Sequence, residues 1–272
     1  MGLNETKRLL RTFRIAPNKL MGQNFMVQPS LYPRLTEYAC LNRSDVVLDV
    51  GAGFGFLTRF LADKCKAVVA VEKDPRIAAV LREQVSGIAN VTVVEGDVLK
   101  AELPKFNKVV AIPPYYLSSR LVTWVLKRKN DCAVLILQRE FADRLVASVG
   151  SKDYGWLTVL AWYHAKVELF DKVTTTAFFP PPKVDSVVVR LAPWKTAPFS
   201  VKDETFFNCL VRWLFTQRNK KVSNALVPFF KTAQKLSKEE AKKLAPKAPF
   251  GERRVRELAP RDFGELADAF AE

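Results

Sequence analysis

The chain has 272 residues, of which 49% are hydrophobic and 11% aromatic, enough for one full domain core and a smaller second one. Its formal net charge is +15, and an excess of this size favours a polyanionic partner. No apolar run of about 18 residues is present, and the first residues lack the apolar core of a signal peptide, so we expect no membrane segment and no leader.

The four cysteines are scattered without a CxxC pair, and His164 is the only histidine. Widely spaced cysteines with almost no histidine are typical of reduced thiols in a cytoplasmic protein. We therefore predict buried, reduced cysteines and no metal site. Nothing in the sequence demands a dimer, so we expect a monomer.

Positive charge is concentrated towards the two ends of the chain. Residues 195–256 contain fifteen Lys or Arg and five Asp or Glu, a local charge of +10. Residues 7–20 contain no acid and five basic residues, namely Lys7, Arg8, Arg11, Arg14 and Lys19. This clustering favours a nucleic acid partner over a generally basic surface.

Strand and helix patterns alternate after a basic N-terminal extension. Apolar runs and helical periodicity predict, in order, helix 30–42, strand 45–51, helix 55–64, strand 66–72, helix 75–86, strand 91–97, strand 108–112, helix 118–128, strand 131–138 and helix 139–149. Two later strands, 165–173 and 184–191, are expected to pair as an antiparallel hairpin at one edge. The alternation predicts an α/β fold with a mostly parallel, seven-stranded sheet.

The pattern changes to helical beyond Pro193 and Pro198. Helices are predicted at about 202–216, 219–230, 237–244 and 260–270. The predicted domains are therefore a basic arm at 1–30, an α/β domain at 31–194 and a small, basic, all-helical domain at 195–272.

A glycine loop follows the first predicted strand. Asp49 ends a short apolar run, and Gly51, Gly53 and Gly55 form a G-x-G-x-G turn before the next helix. Such glycines let backbone N–H groups approach a ligand closely. Phe56 stands where a dinucleotide fingerprint has its third glycine, which argues against NAD. The loop therefore favours the S-adenosylmethionine site of class I, Rossmann-like methyltransferases.

The next two strands also end in acidic residues. Glu72 is placed to accept hydrogen bonds from ribose hydroxyls, and Asp97 with Val98 suits the edge of an adenine. Taken singly, each acid is better explained as a solvated strand end. Three successive strand ends in register favour one ligand site, because the carboxyl ends of parallel strands meet at the same edge of the sheet.

A proline-stiffened turn, Ile112-Pro113-Pro114-Tyr115, follows the fourth strand. Paired prolines hold the backbone extended and can aim a carbonyl at a substrate amine. Tyr115 offers a flat face on which a base can stack. Core packing of a stiff strand end is the alternative explanation.

Together these motifs resemble the KsgA-type small-subunit ribosomal RNA adenine dimethyltransferases, in an archaeal style. The resemblance runs from about residue 18 to the C-terminus. It rests on Gly22-Gln-Asn-Phe25, the glycine loop, Glu72, Gly96-Asp97, Pro114-Tyr115, Gln138-Arg-Glu-Phe-Ala142, Tyr154-Gly155, Ala177-Phe178-x-Pro-Pro-Pro-Lys183-Val-Asp-Ser186 and Phe215-x-Gln-Arg218-x-Lys220-x-x-x-Asn224-Ala-Leu226.

The resemblance implies N6-methylation of adenosines in the 3′-terminal hairpin of small-subunit ribosomal RNA, with S-adenosylmethionine as cofactor. The cofactor residues it implies are Gln23, Asn24, Met26, Gly51, Gly53, Glu72, Asp97, Val98 and Ile112. The residues implied to act on the target adenine are Pro113, Tyr115 and Phe178. The implied RNA-binding residues are Arg218, Lys220 and Lys221.

One position departs from the family's motif, which begins Asn-Leu-Pro-Tyr. Ile112 replaces the asparagine whose amide accepts from the adenine amine, whereas the Pro113 carbonyl is still present. We expect a slower reaction or an altered number of methyl groups. An RNA-binding assembly factor without catalysis, and a methyltransferase of DNA or of small amines, are the alternatives that the sequence leaves open.

Overall fold

The protein is described here by a computed structural model covering residues 2–18 and 21–271. The chain forms two compact units. One contains the residues up to Ala142 together with Lys166–Pro193, and the other contains Asp143–Ala165 together with the residues from Trp194 onward.

This division differs from the predicted domains in two respects. Residues 143–165, expected in the α/β domain at 31–194, belong to the second unit, where the buried Tyr154 hydroxyl donates to the Leu258 carbonyl at 2.7 Å. The arm at 1–30, expected as a separate segment, belongs to the first unit. The last segment of the second unit begins at Trp194.

The order of the elements follows the predicted alternation. In chain order they are α1 (Leu3–Thr12), β1 (Phe25–Met26), α2 (Tyr32–Tyr38), β2 (Val46–Val50), α3 (Phe56–Ala62), β3 (Ala67–Glu72), α4 (Pro75–Val85), β4 (Val91–Glu95), β5 (Lys108–Ala111), α5 (Ser118–Leu126), β6 (Cys132–Gln138), α6 (Arg139–Leu145), α7 (Trp156–His164), β7 (Ala165–Val173), β8 (Phe178–Phe179), β9 (Ser186–Pro193), α8 (Glu204–Phe215), α9 (Val222–Thr232), α10 (Lys238–Leu244) and α11 (Pro260–Asp268).

Seven strands of the first unit form one sheet in the order β4-β3-β2-β5-β6-β9-β7. Strands β2 to β6 are parallel where they pair, and β9 is antiparallel to β6. The valine-rich central strands are buried, as expected of a parallel sheet covered on both faces. The predicted α/β class is confirmed, with the two late strands at one edge.

Two helices of the structure have no counterpart among the predictions. Helix α1 buries Thr6, Leu9 and Leu10 on one face, and this short amphipathic period was overlooked within a segment interpreted only as a basic extension. Helix α7 is apolar on nearly every side, so it also lacks the polar face that identifies an amphipathic helix. The two-stranded sheet of β1 and β8 was not predicted either, because each strand has only two residues.

The second unit is built from helices around an aromatic core. Phe207, Phe229, Phe230 and Phe263 are each at most 1% exposed and belong to one hydrophobic cluster. This confirms a helical C-terminal region. Burying this much apolar surface is the main driving force for a unit of its size.

Two of the four cysteines differ from the prediction. Cys65 and Cys132 are buried, whereas Cys40 and Cys209 are exposed. Cys40 lies in a turn with a φ of 47°, and turns lie at the surface. Cys209 follows the buried Asn208 on helix α8 but turns to the solvent.

Within the described ranges, no helix is long and apolar enough to cross a bilayer. Over the same residues, no group of three or more His, Cys, Asp and Glu side chains is arranged to hold a metal ion. Of the five basic residues near the N-terminus, Lys19 lies outside the described part of the chain.

Candidate active site

A crevice of about 830 Å³ opens where β2, β3 and β5 end. Strands β2 and β5 are neighbours in the sheet, although β3 and β4 separate them in the chain. The connections therefore run outward from this pair in opposite directions. Ligands of open α/β sheets bind at such a switch point.

The glycine loop forms one wall of the crevice. Gly51 has a φ of +73°, a left-handed conformation that favours glycine. A Cβ atom at this position would lie 2.7 Å from Cδ of Pro114. The loop and the proline turn are therefore packed together so closely that no side chain fits between them.

Glu72 lies at the end of β3 and is only 8% exposed. One carboxylate oxygen accepts from the N–H groups of Lys73 at 2.8 Å and Asp74 at 2.9 Å, and the other accepts from the N–H of Gly53 at 3.0 Å. Burial raises the pKa of Glu72, and these three hydrogen bonds oppose that rise. A carboxylate has about four acceptor positions, so one remains for a ligand hydroxyl.

Asp49 is a crevice residue to which the sequence analysis gave no role. It is 1% exposed and accepts a hydrogen bond of 2.7 Å from the Thr58 hydroxyl. Burial, with a smaller contribution from the charge of nearby Glu72, raises the pKa of Asp49 to about 7. The hydrogen bond from Thr58 opposes this rise. A sequence signal for Asp49 was available, because an acidic residue near the end of a buried strand is unusual and points to a site.

The charged side chains that line the crevice are Asp49, Glu72 and Lys73. Asp49 keeps its proton up to about pH 7, so it adds little negative charge below that pH. With Lys73 as the one basic residue among its described lining residues, the crevice is nevertheless far less positive than expected for a protein whose net charge is +15.

A second cavity of about 310 Å³ shares Gly51, Glu72 and Lys73 with the crevice. Asp97 and Val98, predicted at the adenine edge, line this cavity and not the larger one. Burial tends to raise the pKa of Asp97, but hydrogen bonds from the Leu99 N–H at 3.1 Å and Lys73 Nζ at 3.2 Å outweigh it and lower the pKa. Asp97 is therefore an ionised acceptor.

The N-terminal arm forms another wall, with Gln23, Asn24 and Met26 among its lining residues. Gln23 donates to Asp74 at 2.9 Å and accepts from the Asn18 N–H at 2.7 Å, which fixes the arm to the loop after β3. Met26 pairs with Phe178 through the sheet of β1 and β8. The arm is therefore held at two points beside the crevice.

Pro113, Tyr115 and Phe178 line the same crevice. The Tyr115 hydroxyl lies 2.7 Å from the Ser186 hydroxyl, which fixes the ring, and burial raises the pKa of Tyr115. The rings of Tyr115 and Phe178 are 6.2 Å apart at an angle of 72°. The family resemblance implied that both rings act on the target adenine. This edge-to-face arrangement presents two ring faces at a steep angle and not two parallel walls.

Ile112 also lines the crevice and packs against the core of the first unit. Its side chain offers no hydrogen-bond acceptor. The Pro113 carbonyl accepts no hydrogen bond from any described residue. It is therefore the acceptor that remains for a substrate amine at this end.

The three predicted RNA-binding residues belong to the second unit. Arg218 donates to the carbonyls of Ser151 and Lys152, each at 2.7 Å, so its guanidinium holds a neighbouring loop. Lys221 forms an exposed ion pair with Glu252 at 2.6 Å, and Lys220 is exposed. Sequence spacing did not indicate that Arg218 contacts backbone carbonyls.

Comparison with known proteins gives matches over most of the chain. A family model described as ribosomal RNA adenine dimethylase matches residues 16–259. A Methanosarcina mazei protein named probable ribosomal RNA small subunit methyltransferase A is 38% identical over 248 residues, 90% of this chain and 90% of that protein. A Thermococcus kodakarensis protein of the same name is 39% identical over 265 residues, 96% of this chain and 92% of that protein.

Solved structures agree with this assignment. A dimethyladenosine transferase from Plasmodium falciparum superposes with a TM-score of 0.74 at 28% identity, over 89% of this chain and 95% of that one. The 23S rRNA methyltransferase ErmE superposes with a TM-score of 0.64 at 31% identity, over 90% of this chain and 98% of that one. This chain therefore belongs to the ribosomal RNA adenine dimethylase family, whose members are class I methyltransferases that use S-adenosylmethionine.

Proposed function

We propose that this protein methylates the N6 amine of adenosine in the 3′-terminal hairpin of small-subunit ribosomal RNA. In this proposal it acts in the cytoplasm, on an immature ribosomal subunit, and as a monomer. The observation that carries the proposal is the Pro113–Tyr115 turn, which shares one crevice with the glycine loop and the buried acids.

The crevice residues fit S-adenosylmethionine. The free acceptor position of Glu72 suits a ribose hydroxyl, and Asp97 with Val98 suits the adenine edge. The described lining holds one basic side chain, Lys73, so it opposes the positive charge of the cofactor only weakly. When bound, S-adenosylmethionine supplies an electrophilic methyl group.

The proline turn orients the acceptor base. Tyr115 offers its ring face to the adenine, and its hydrogen bond to Ser186 keeps that face in one orientation. The Pro113 carbonyl accepts one N–H of the amine, which directs the nitrogen lone pair away from the ring plane. We assign no general base, because the amine proton becomes acidic only once the nitrogen has been methylated.

Ile112 limits this orientation to one acceptor. The loss of a single well-placed hydrogen-bonding group costs about 2–4 kcal/mol in the barrier, by analogy with oxyanion-hole variants. Ile112→Asn restores a side-chain acceptor, so we expect faster transfer and a larger dimethyl fraction. Ile112→Leu is the matched control without an acceptor. Methyl transfer to immature subunits is followed by mass spectrometry of the RNA. Equal rates for the two variants would show that position 112 does not limit the reaction.

A second candidate is an RNA-binding assembly factor of the same fold that has lost catalysis, and Ile112 is the observation that favours it. Calorimetry with S-adenosylmethionine and transfer of a labelled methyl group to immature subunits separate the two functions. We expect binding and transfer. Tight RNA binding with neither of them would favour the assembly factor.

The direct test is the modification state of the two adjacent adenosines expected in the hairpin, with and without this protein. We expect methylation of N6 only when the protein is present. Unmodified adenosines in subunits incubated with protein and cofactor would contradict the proposed function.

A further inference from the structure

Helix α1 has a positively charged face that the proposed function leaves unexplained. Thr6, Leu9 and Leu10 face the core of the first unit. Arg8 and Arg11 are exposed and lie three residues apart, so they share one side of the helix. Exposed Arg14 lies two residues after the helix, and its N–H donates to the Arg11 carbonyl at 3.2 Å, so the three arginines are neighbours at this end of the helix.

The three arginines have no acidic partner among the residues that the structure describes. None of the ion pairs or side-chain hydrogen bonds of the described residues involves Arg8, Arg11 or Arg14. Glu5 is the only acid among residues 2–18. Three unpaired guanidinium groups are typical of a surface that binds an anion, because arginine holds phosphate through two parallel hydrogen bonds.

The same helix contacts the acceptor end of the crevice. Lys7 Nζ lies over the ring of Phe179, 5.3 Å from its centroid. Phe179 pairs with Phe25, and the adjacent Phe178 lines the crevice. Helix α1 is therefore joined through β8 to the ring beside which the target base is expected.

We propose that Arg8, Arg11 and Arg14 bind backbone phosphates of the RNA strand that flanks the target adenosine. The inference rests on the proposed function and extends it by naming a second RNA contact, in the catalytic unit itself. Phosphate contacts fix the register of a nucleic acid without reading its sequence. Here they would set which nucleotide reaches Tyr115.

The test compares the full-length triple variant R8Q/R11Q/R14Q with the triple variant K105Q/K127Q/K129Q. The control removes the same charge from exposed positions of the same unit. These positions precede β5 and β6, at the amino ends of these strands, whereas the crevice lies at the carboxyl ends of the strands. Binding of a 3′-terminal small-subunit hairpin RNA is measured at several salt concentrations. Each lost phosphate contact lowers the slope of log K against log salt by about 0.7–0.9, so the arginine variant is expected to lose about two to three units. The control is expected to lose none.

Further measurements distinguish this inference from the proposed function and from binding to a membrane. S-adenosylmethionine binding by calorimetry should be unchanged in both variants, which checks the fold, and KM for RNA should rise more than kcat falls. The variant R8K/R11K/R14K should recover most of the salt slope. Equal RNA binding by the arginine variant and the control overturns the inference while leaving the proposed function intact. Failure of the wild-type protein to methylate the RNA would contradict the proposed function itself. Weakened binding to anionic lipid vesicles with unchanged RNA binding would assign the face to a membrane instead.

Discussion

The crevice and the second unit use charge in opposite ways. The crevice contains a few buried acids, each held by hydrogen bonds, such as Asp49 with Thr58 and Glu72 with three backbone N–H groups. The second unit contains many exposed cations, with fifteen basic and five acidic residues in 195–256. Single changes in the crevice should therefore have large effects, whereas exposed charges act as a sum and single changes there should have small ones.

The largest effect is expected for Gly51→Ala. The new Cβ meets Pro114 at 2.7 Å, in a ring that cannot rotate away, and the φ of +73° adds strain of about 1–2 kcal/mol. Displacing the proline turn by a few tenths of an ångström misplaces both cofactor and acceptor. We expect methyl transfer to fall about 100-fold or more. Gly87→Ala is the control, because a Cβ there meets nothing within 4 Å. Similar activity in both variants would show that the loop and the turn are not rigidly packed.

A smaller effect is expected for Tyr115→Ala. Stacking of a base on an aromatic ring contributes about 1–3 kcal/mol, so transfer to RNA should fall about 10- to 100-fold. Cofactor binding, measured by calorimetry, should change little. Tyr115→Phe keeps the ring and loses only the hydrogen bond to Ser186, so it should lower the rate of methyl transfer only a few-fold. Equal losses in both variants would mean that the hydroxyl, and not the ring face, matters.

Asp49→Asn should change how stability depends on pH. The native carboxyl keeps its proton up to about pH 7, whereas the unfolded chain releases it near pH 4. The stability of the wild-type protein therefore falls as pH rises between these values, by at most about 1.4 kcal/mol per pH unit, and levels off above them. Asparagine still accepts from Thr58 but does not titrate.

The free energy of unfolding of Asp49→Asn relative to wild type should therefore rise from pH 5 to pH 7, on the order of 1–2 kcal/mol, and then stay constant. Denaturant titrations at pH 5, 6, 7 and 8 measure it. Gly87→Ala, which removes no titratable group and whose new Cβ meets nothing within 4 Å, is the control and should show the pH dependence of the wild type. A constant difference across this range would mean that Asp49 is ionised throughout.

The sequence placed the residues at the ends of β2, β3 and β4 together, for a physical reason. Gly51, Glu72 and Asp97 follow consecutive strands of a parallel sheet, so their order in the chain sets their position at one edge. The residues predicted on this basis line one crevice and its adjoining cavity. Their individual roles in binding remain predictions.

Long-range side-chain contacts were beyond the reach of sequence patterns. Gln23 and Asp74 are 51 residues apart, and nothing in either neighbourhood indicates their hydrogen bond. Helix α7 was missed because its nearly uniform apolar surface has no period to detect. Segment 143–165 was assigned to the other unit because its packing partners come about 100 residues later in the chain.

Arg218 gives the smallest expected effect and the sharpest test of the contrast between buried and exposed charge. Its two hydrogen bonds to the Ser151 and Lys152 carbonyls predict that Arg218→Ala lowers the free energy of unfolding by about 1–2 kcal/mol. Arg218→Lys should not restore this stability, because one ammonium group cannot match the fork that spans two carbonyls.

Exposed Lys220 is the control for Arg218. Lys220→Ala should leave stability unchanged to within about 0.5 kcal/mol and lower the salt slope of RNA binding by about one unit or less. Thermal unfolding, with hydrogen exchange of residues 148–155, measures the first effect. RNA titrations measure the second. If Arg218→Ala instead leaves exchange in this loop unchanged and lowers the salt slope as Lys220→Ala does, Arg218 belongs with the exposed cations. The original prediction of an RNA contact at this residue would then hold, because a guanidinium that binds phosphate in solution has left the two carbonyls.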